Sequence, residues 1–255
     1  MILTIDIGNS TIVTGAYSNK KELLFSTRMN TDRTCPVDVY TQRLHDICRL
    51  HSIAAKDVEG IIVSSVVPVV TNTFFEALTF VFGKRPLLFS HKLNTGITVD
   101  IDNPAELGSD ILACAVAVAS KFPLPSINID MGTATTLTAL TEDKRIIGVS
   151  IVPGVYISLD ALTGKAAQLQ GIALEAPAHA IGRNTVHSMQ SGIVFGNAAL
   201  IDGMVERFKQ EMGEVKTIIA TGGAGGIVVP HCKTPIVHLP HLQLDGLYEA
   251  YMQNN

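Results

Sequence analysis

The chain has 255 residues, a formal net charge of −4 and a pI of about 6.0. Hydrophobic residues make up 47% of it and charged residues 16%, so it can bury a sizeable core. That length suits one large domain or two of roughly 100–150 residues. The absence of a basic block argues against nucleic-acid binding. No apolar run reaches the roughly 18–20 residues of a membrane-spanning helix, so no membrane association is expected.

The cysteines are scattered and include no CxxC pair. This distribution is typical of reduced thiols in a cytoplasmic protein, rather than of a disulfide framework or a zinc site. The chain opens directly on an apolar strand, so we expect no signal peptide.

The first half of the chain predicts a strand meander followed by alternating helices and strands. The expected strands cover residues 1–7, 11–17, 22–28, 60–65 and 87–89. The expected helices begin at Pro36 and near residue 71, and the second carries Phe74, Leu78 and Phe82 on one face. Such an aromatic stripe is typical of a helix packed on a core. The element order favours a mixed sheet flanked by helices.

The sequence of the second half also predicts both helices and strands. We expect an apolar helix over residues 111–120, strands at 127–129, 146–151 and 216–220, and three further helices. The first of these three helices passes through residues 158–162, the second follows residue 185 and the third begins near residue 242. We place the two domains at residues 1–115 and 116–255.

Two short stretches repeat the same pattern about half a chain apart. Residues 6–11 read Asp-Ile-Gly-Asn-Ser-Thr and residues 130–136 read Asp-Met-Gly-Thr-Ala-Thr-Thr, each after an apolar strand. Glycine permits a sharp turn, and the amides and hydroxyls that follow can wrap a phosphate. An Asp at a strand end can hold Mg²⁺ or its waters. One such turn alone is equally typical of an ordinary hairpin, but the matched pair favours phosphate binding.

Three other stretches carry candidate chemistry. Asp110 ends the segment Asn-Pro-Ala-Glu-Leu-Gly-Ser-Asp and is either a helix cap or the base for a hydroxyl that attacks a phosphate. Asn184 and Thr185 suit a helix N-terminus, which also suits an anionic ligand. The run Thr-Gly-Gly-Ala-Gly-Gly at residues 221–226 lets backbone approach a ligand closely, although alone it indicates little.

The paired turns resemble those of the actin-like ATPase superfamily, and the ordered set of motifs resembles type III pantothenate kinase. The resemblance extends over residues 181–192 and 242–247, so it runs nearly end to end. It implies an α/β fold of two related actin-like (ribonuclease H-like) domains, with mixed sheets flanked by helices and a nucleotide cleft between them.

The resemblance implies the ATP-dependent phosphorylation of pantothenate to 4′-phosphopantothenate, the first step of coenzyme A biosynthesis, by a cytoplasmic homodimer. It implies Mg²⁺ with ATP and a monovalent cation, K⁺ or NH₄⁺. Asp110 matches the family's catalytic base, Asp130 its ligand for the monovalent cation, and Asp6 a residue that holds Mg²⁺ through water. Thr185 matches a pantothenate contact supplied across the dimer interface.

The same resemblance implies two further sets of site residues. Those expected to bind ATP and its phosphates are Asp6, Gly8, Asn9, Ser10, Thr11, Gly132, Thr133, Gly222 and Gly223. Those expected to bind the acceptor are Gly108, Ser109, Asp110, Ile111 and Thr185.

Several positions depart from the family pattern, among them Thr138, where the second phosphate motif usually runs on to an Asp, and Val149-Ser150, where the family has Gly-Gly. The family usually has Arg directly after its catalytic Asp and Tyr two residues before the Asn-Pro step, where this chain has Ile111 and Ile101. The Arg is understood to meet the pantothenate carboxylate, and such charged contacts are worth roughly 1.5–3 kcal/mol. The chain is then a pantothenate kinase that holds the carboxylate differently, a paralogue that phosphorylates another small alcohol, or a non-catalytic nucleotide-binding regulator. The retained Asp6, Asp110 and Asp130 favour a kinase.

Overall fold

The computed structural model describes residues 1–165 and 172–255. The strands are β1 (Ile2–Ile7), β2 (Thr11–Tyr17), β3 (Leu23–Asn30), β4 (Gly60–Ser65), β5 (Leu87–Leu88), β6 (Thr98–Val99), β7 (Ser126–Met131), β8 (Ala134–Leu140), β9 (Arg145–Pro153), β10 (Thr217–Thr221) and β11 (Val237–His238). The α-helices are α1 (Val37–Leu50), α2 (Pro68–Phe82), α3 (Ser109–Lys121), α4 (Val155–Lys165), α5 (Thr185–Met212), α6 (Gly225–Val228) and α7 (Leu242–Gln253).

The chain divides into two compact units. The first contains Met1–Ile97, Asn103–Ser120 and Leu242–Asn255, and the second contains Thr98–Asp102 and Lys121–His241. The sequence-based boundary after residue 115 therefore falls inside α3, most of which lies in the first unit. The C-terminal helix α7 also belongs to the first unit, although it was assigned to the second domain from the sequence.

The first unit is built on a five-stranded mixed sheet in the order β3-β2-β1-β4-β5. The pairs β1–β2 and β2–β3 are antiparallel, whereas β1–β4 and β4–β5 are parallel. Every residue of the central strand β1 is buried, whereas half-buried and exposed positions alternate along β3 at the edge. This contrast is expected for a central strand covered on both faces and an edge strand covered on one.

Helices α1 and α2 cover one face of this sheet and supply much of its core. Phe74, Leu78 and Phe82 are buried in that core, so the predicted role of the aromatic stripe is confirmed. Helix α2 begins at Pro68, three residues before the predicted start. Proline at the first turn of a helix is favourable because its missing N–H needs no partner there.

Helices α3 and α7 cross closely within the first unit. A Cβ atom added at Gly246 would overlap the carbonyl oxygen of Ala113, so glycine is required for this approach. Tyr248 of α7 stacks on Tyr17 of β2 with ring centroids 4.9 Å apart. The Tyr17 hydroxyl donates a 2.6 Å hydrogen bond to Asp245. These contacts bind the C-terminal helix to the sheet of the first unit.

The second unit contains a six-stranded sheet in the order β11-β10-β7-β8-β9-β6. Its pairs β7–β8 and β8–β9 are antiparallel, and β7–β10 and β10–β11 are parallel. Five of its strands therefore repeat the connectivity of the first sheet, with β6 added at the edge. The duplication and the α/β class predicted from the sequence are confirmed. None of the described helices is both long and apolar enough to cross a membrane.

Candidate active site

The turn between β1 and β2 is held by short backbone and side-chain hydrogen bonds. The Gly8 amide donates to the carbonyl oxygen of Thr11 at 2.9 Å, and the Thr31 hydroxyl donates to the carbonyl oxygen of Gly8 at 2.7 Å. We expected glycine at position 8 because of an unusual backbone conformation, and this was wrong, because its φ is not positive. The constraint is space instead: a Cβ atom here would lie 3.1 Å from the Thr11 carbonyl oxygen.

The tip of this turn presents polar groups to solvent. Asn9 and Ser10 are exposed, and Thr11 is half-buried. The Asn9 side chain accepts a 3.1 Å hydrogen bond from Arg33. The tip therefore presents the exposed Ser10 hydroxyl and backbone amides beside the cationic side chain of Arg33, and such groups suit the binding of a phosphate.

The Asp6 carboxylate lies at the base of this turn and is only 6% exposed. Its Oδ1 atom has no hydrogen-bond partner among the described residues. Burial raises the pKa of Asp6 to about 7, helped by the nearby charge of Asp110 and opposed by the neighbouring Ser64 hydroxyl. The first unit therefore holds two carboxyl groups close enough for each to disfavour the ionisation of the other.

Asp110 lies in the first turn of α3, where Ile111 N–H donates to its Oδ1 atom at 2.8 Å. Burial raises the pKa of Asp110, and the backbone hydrogen bonds oppose that shift. A Cβ atom at Gly108 would overlap the Asp110 carboxylate, so glycine gives this side chain room. The Asp110 carboxylate therefore makes a local contact with the start of α3 through its Oδ1 atom.

A serine pair joins the strand next to Asp6 to the helix that carries Asp110. The Ser64 and Ser109 hydroxyls lie 2.9 Å apart, and Ser109 also lies 3.3 Å from the carbonyl oxygen of Ser65. Ser64 was not predicted from the sequence as a residue of this site. Its available signal was a pair of hydroxyl residues that ends the apolar strand Gly60–Ser65.

The second loop, at residues 130–136, is supported by the Pro-Gly segment that ends β9. A Cβ atom at Gly154 would overlap the carbonyl oxygen of Thr133 and approach that of Gly132 to 2.7 Å. Thr133 itself is exposed and Gly132 is half-buried. The Pro-Gly segment therefore fixes the backbone of the loop while its exposed residues stay accessible.

The glycine-rich loop after β10 approaches the same strand end. Gly222 has a φ of +90°, and a Cβ atom there would lie 2.6 Å from the carbonyl oxygen of Met131 and 2.7 Å from Asp130 Oδ1. Both its conformation and its surroundings require glycine. Gly223 follows at an exposed position. The second unit thus brings Asp130, Thr133 and the glycine-rich loop into one region.

The candidate acceptor residues are divided between the units. Gly108, Ser109, Asp110 and Ile111 lie in the first unit and Thr185 lies in the second. The Ile111 side chain is only 8% exposed and belongs to the apolar face of α3. Thr185 is exposed at the first position of α5, whose cap is Asn184: its side chain accepts from the His187 amide at 2.9 Å.

Metal binding in this chain would depend on few protein ligands. Within the described residues, no group of three or more His, Cys, Asp or Glu side chains could hold a metal ion. The buried Oδ1 of Asp6, which lacks a protein partner there, fits a role as acceptor for a Mg²⁺-bound water. The oxygen atoms of Asp130 and Met131 beside Gly222 are metal ligands of the kind that hard cations prefer.

Comparisons with known proteins agree on one family. The family model described as type III pantothenate kinase matches residues 2–207. The type III pantothenate kinase of Exiguobacterium sibiricum is 42% identical over 254 residues, covering 100% of both chains. That of Geotalea uraniireducens is 38% identical over 254 residues, covering 100% of this chain and 99% of its own.

Solved structures of low identity share the fold. The activator of 2-hydroxyisocaproyl-CoA dehydratase from Clostridium difficile, with bound ADPNP, gives a TM-score of 0.56 at 12% identity and covers 99% of this chain and 93% of its own. Component A of (R)-2-hydroxyglutaryl-CoA dehydratase from Acidaminococcus fermentans gives 0.55 at 12% identity, with 98% and 95% covered.

Proposed function

This chain belongs to the type III pantothenate kinase family, and we propose how its residues divide the work of phosphorylating pantothenate. The activity is the ATP-dependent transfer of a phosphoryl group to the alcohol of pantothenate, in coenzyme A biosynthesis. The assignment of roles rests on two carboxyl groups of the first unit, those of the buried Asp6 and the half-buried Asp110, whose pKa values are both raised by desolvation.

Asp110 is the general base for the acceptor hydroxyl. A base for this reaction must take a proton at a pH near neutrality, and burial raises the pKa of this carboxyl above its ordinary value. Its attachment to the first turn of α3 restricts its rotation, because the Ile111 amide donates to Oδ1. The other carboxylate oxygen, Oδ2, is then the one available to accept the proton of the attacking hydroxyl.

Asp6 and the exposed tip of the first turn bind the phosphates of ATP. Asp6 holds Mg²⁺ through water, which suits a buried oxygen atom that lacks a partner among the described residues. Mg²⁺ bound with ATP supplies charge neutralisation on the phosphate oxygens. Gly8 keeps the turn tight, and Asn9, Ser10 and Thr11 present amides and hydroxyls to the phosphates.

The second unit contributes the second set of nucleotide contacts. Gly132 and Thr133 bind phosphate through the loop that Gly154 supports, and Gly222 and Gly223 let the backbone approach the nucleotide. Asp130 holds a monovalent cation, K⁺ or NH₄⁺, together with backbone oxygen. The carbonyl oxygen of Met131 beside Asp130 favours this role.

The acceptor contacts are Gly108, Ser109, Ile111 and Thr185. Thr185 is exposed at the N-terminus of the long helix α5, where backbone amides favour an anionic group. Its role includes pantothenate binding in a homodimer, in which each copy supplies Thr185 to the other. The two actin-like domains of this proposal follow the two compact units, with the C-terminal helix α7 in the first. The absence of disulfides among the four cysteines favours the cytoplasm.

The function is tested by measuring ADP release with Mg²⁺, K⁺ and ATP in the presence of pantothenate, pantetheine or no acceptor. Pantothenate is negatively charged and pantetheine is not, so the pair reports on the acceptor's carboxylate. We expect release that depends on pantothenate. Release with pantetheine alone would move the acceptor to a neutral alcohol, and release with neither would contradict the kinase assignment.

A further inference from the structure

Ser64 is a buried hydroxyl residue that lies beside Asp6 and contacts the helix start that carries Asp110. It is 0% exposed and lies directly opposite Asp6 in the parallel pair of β1 and β4. The preceding residues of β4, Gly60 to Val63, are all buried and without polar side chains. A hydroxyl at the end of such a strand must find partners, because an unpaired buried polar group is costly.

Hydroxyl groups join Ser64 to the start of α3. The Ser64 and Ser109 hydroxyl oxygens lie 2.9 Å apart, and the Ser109 hydroxyl donates to the carbonyl oxygen of Ser65 at 3.3 Å. A hydroxyl has a single proton, so Ser64 then donates to Ser109. This chain of hydrogen bonds therefore runs from Ser64 to Ser109 to Ser65. Because Ser64 and Asp6 are directly opposite on neighbouring strands, their side chains lie on the same face of the sheet.

We propose that Ser64 is a positioning residue for phosphoryl transfer, because its side chain lies beside Asp6 and its hydroxyl is hydrogen-bonded to Ser109 in the first turn of α3, which carries Asp110. Ser109 directly precedes Asp110, so this chain fixes the helix start relative to the strand that holds Asp6. The inference rests on the proposed function. Ser64 itself touches no reacting atom and acts through Asp6 and Ser109.

The second unit offers an internal comparison. Thr221 lies opposite Asp130 in the parallel pair of β7 and β10, as Ser64 lies opposite Asp6. Thr221 is also buried, but within the described residues its hydroxyl has no hydrogen-bond partner. A hydroxyl opposite the loop Asp is thus common to both units, whereas the link from that hydroxyl to a helix start occurs in the first unit, which carries Asp110.

The test compares kcat and KM for wild type, Ser64→Ala, Ser109→Ala and the double variant. We expect Ser64→Ala to lower kcat by about tenfold or more, since small displacements of reacting groups carry losses of this size. In Ser64→Ala the KM values for ATP and pantothenate should change by less than about threefold, because this change removes none of the proposed nucleotide and acceptor contacts. The double variant should lose no more than about the larger single loss, because either change breaks the same chain.

The control is Thr4→Val, which removes another fully buried hydroxyl from the same sheet while keeping the side-chain shape. Thr4 is 0% exposed on β1, and within the described part of the chain its hydroxyl makes a single long hydrogen bond, 3.5 Å to the Gly15 carbonyl oxygen. We expect wild-type kcat for this variant. A similar loss in Thr4→Val, or a double variant whose losses multiply, would overturn the inference.

Thermal unfolding and circular dichroism establish which variants are folded. If Ser64→Ala does not fold, Ser64→Cys retains the shape with a weaker donor and should show the same loss of kcat. Wild-type kcat in a folded Ser64 variant overturns the inference while the kinase function stands. A wild-type protein without pantothenate-dependent ADP release contradicts the proposed function itself.

Discussion

Asp6 and Ser64 lie directly opposite each other on the parallel strands β1 and β4. The pair Asp130 and Thr221 repeats this relationship on β7 and β10. In each unit the carboxylate that begins the loop therefore lies beside a hydroxyl from the neighbouring strand. The repeat extends from the loop motif itself to the strand next to it, so the duplicated feature is a two-strand unit.

The glycine-rich loop gives a prediction with an internal control. Gly222→Ala introduces a Cβ atom 2.6 Å from the Met131 carbonyl oxygen at a φ of +90°. We expect it to destabilise the protein by on the order of 1–3 kcal/mol and to weaken ATP binding. The matched control is Gly226→Ala, whose Cβ atom would meet nothing closer than 3.7 Å. Calorimetric ATP titration and thermal unfolding of both variants provide the measurement, and equal behaviour would contradict this role for Gly222.

The buried Asp6 predicts a dependence of stability on pH. Its pKa is about 7 in the folded protein and 3.8 ordinarily, so the folded state holds an extra proton between these values. Stability of the free protein should therefore fall as pH rises from about 4 to 7, and the cost is fully present above that range. Asp6→Asn removes the ionisable group, so we expect it to stabilise the protein at pH 8 by on the order of 1 kcal/mol or more.

The measurement is denaturant unfolding of the metal-free protein at pH 4.5 and pH 8, in wild type and Asp6→Asn. The stabilisation should be smaller at the lower pH, where the carboxyl of the folded wild type is already protonated. A variant that is destabilised equally at both pH values would show that the carboxyl carries no ionisation cost.

The same pair of carboxyl groups predicts the acidic limb of the pH–rate profile. Asp6 and Asp110 must be ionised to hold Mg²⁺ and to accept a proton, and burial raises the pKa of both. The value of kcat/KM for ATP reports the free enzyme and should fall as pH drops below about 7. The apparent pKa of this acidic limb belongs to the two carboxyl groups together, because the two groups influence each other. A profile that stays flat from about pH 5 to 8 would contradict this account.

The loop motifs and most elements could be predicted because their signals are local. The strands expected at 11–17 and 60–65 have those bounds in the structure, and the asparagine at position 184 is a helix cap as expected. The apolar pattern and the paired Asp-x-Gly motifs carry this information within short windows of sequence. The α/β class could be predicted from the same short stretches of sequence.

Contacts between distant segments could not be predicted in the same way. Ser64 and Ser109 are far apart in the chain, and their hydrogen bond depends on the arrangement of β4 and α3. The placement of α7 in the first unit also depends on packing, through Tyr17, Asp245 and the close approach of Gly246. The sequence showed glycine at position 8, but the structure was needed to show that space rather than φ is the constraint.

The crossing of α3 and α7 gives a prediction about stability. Gly246→Ala adds a methyl group that overlaps the Ala113 carbonyl oxygen, so we expect a loss of roughly 1–3 kcal/mol. Gly203→Ala is the matched control on helix α5, where nothing lies within 4 Å of the added Cβ atom. Alanine there should stabilise the helix by about 0.5–1 kcal/mol. Thermal unfolding of both variants checks the opposite signs, and a stabilised Gly246→Ala would refute the close crossing.

The central claim is that Asp110 acts as the base for phosphoryl transfer, and a single-turnover measurement of Asp110→Asn tests it most directly. The amide keeps the size of the side chain and its acceptor for the Ile111 amide, but it cannot take the proton. Asp38→Asn, at an exposed position on α1, serves as the control and should behave as wild type. We expect Asp110→Asn to bind ATP normally and to transfer phosphate to pantothenate at least about 100-fold more slowly. Transfer at the wild-type rate would contradict the account.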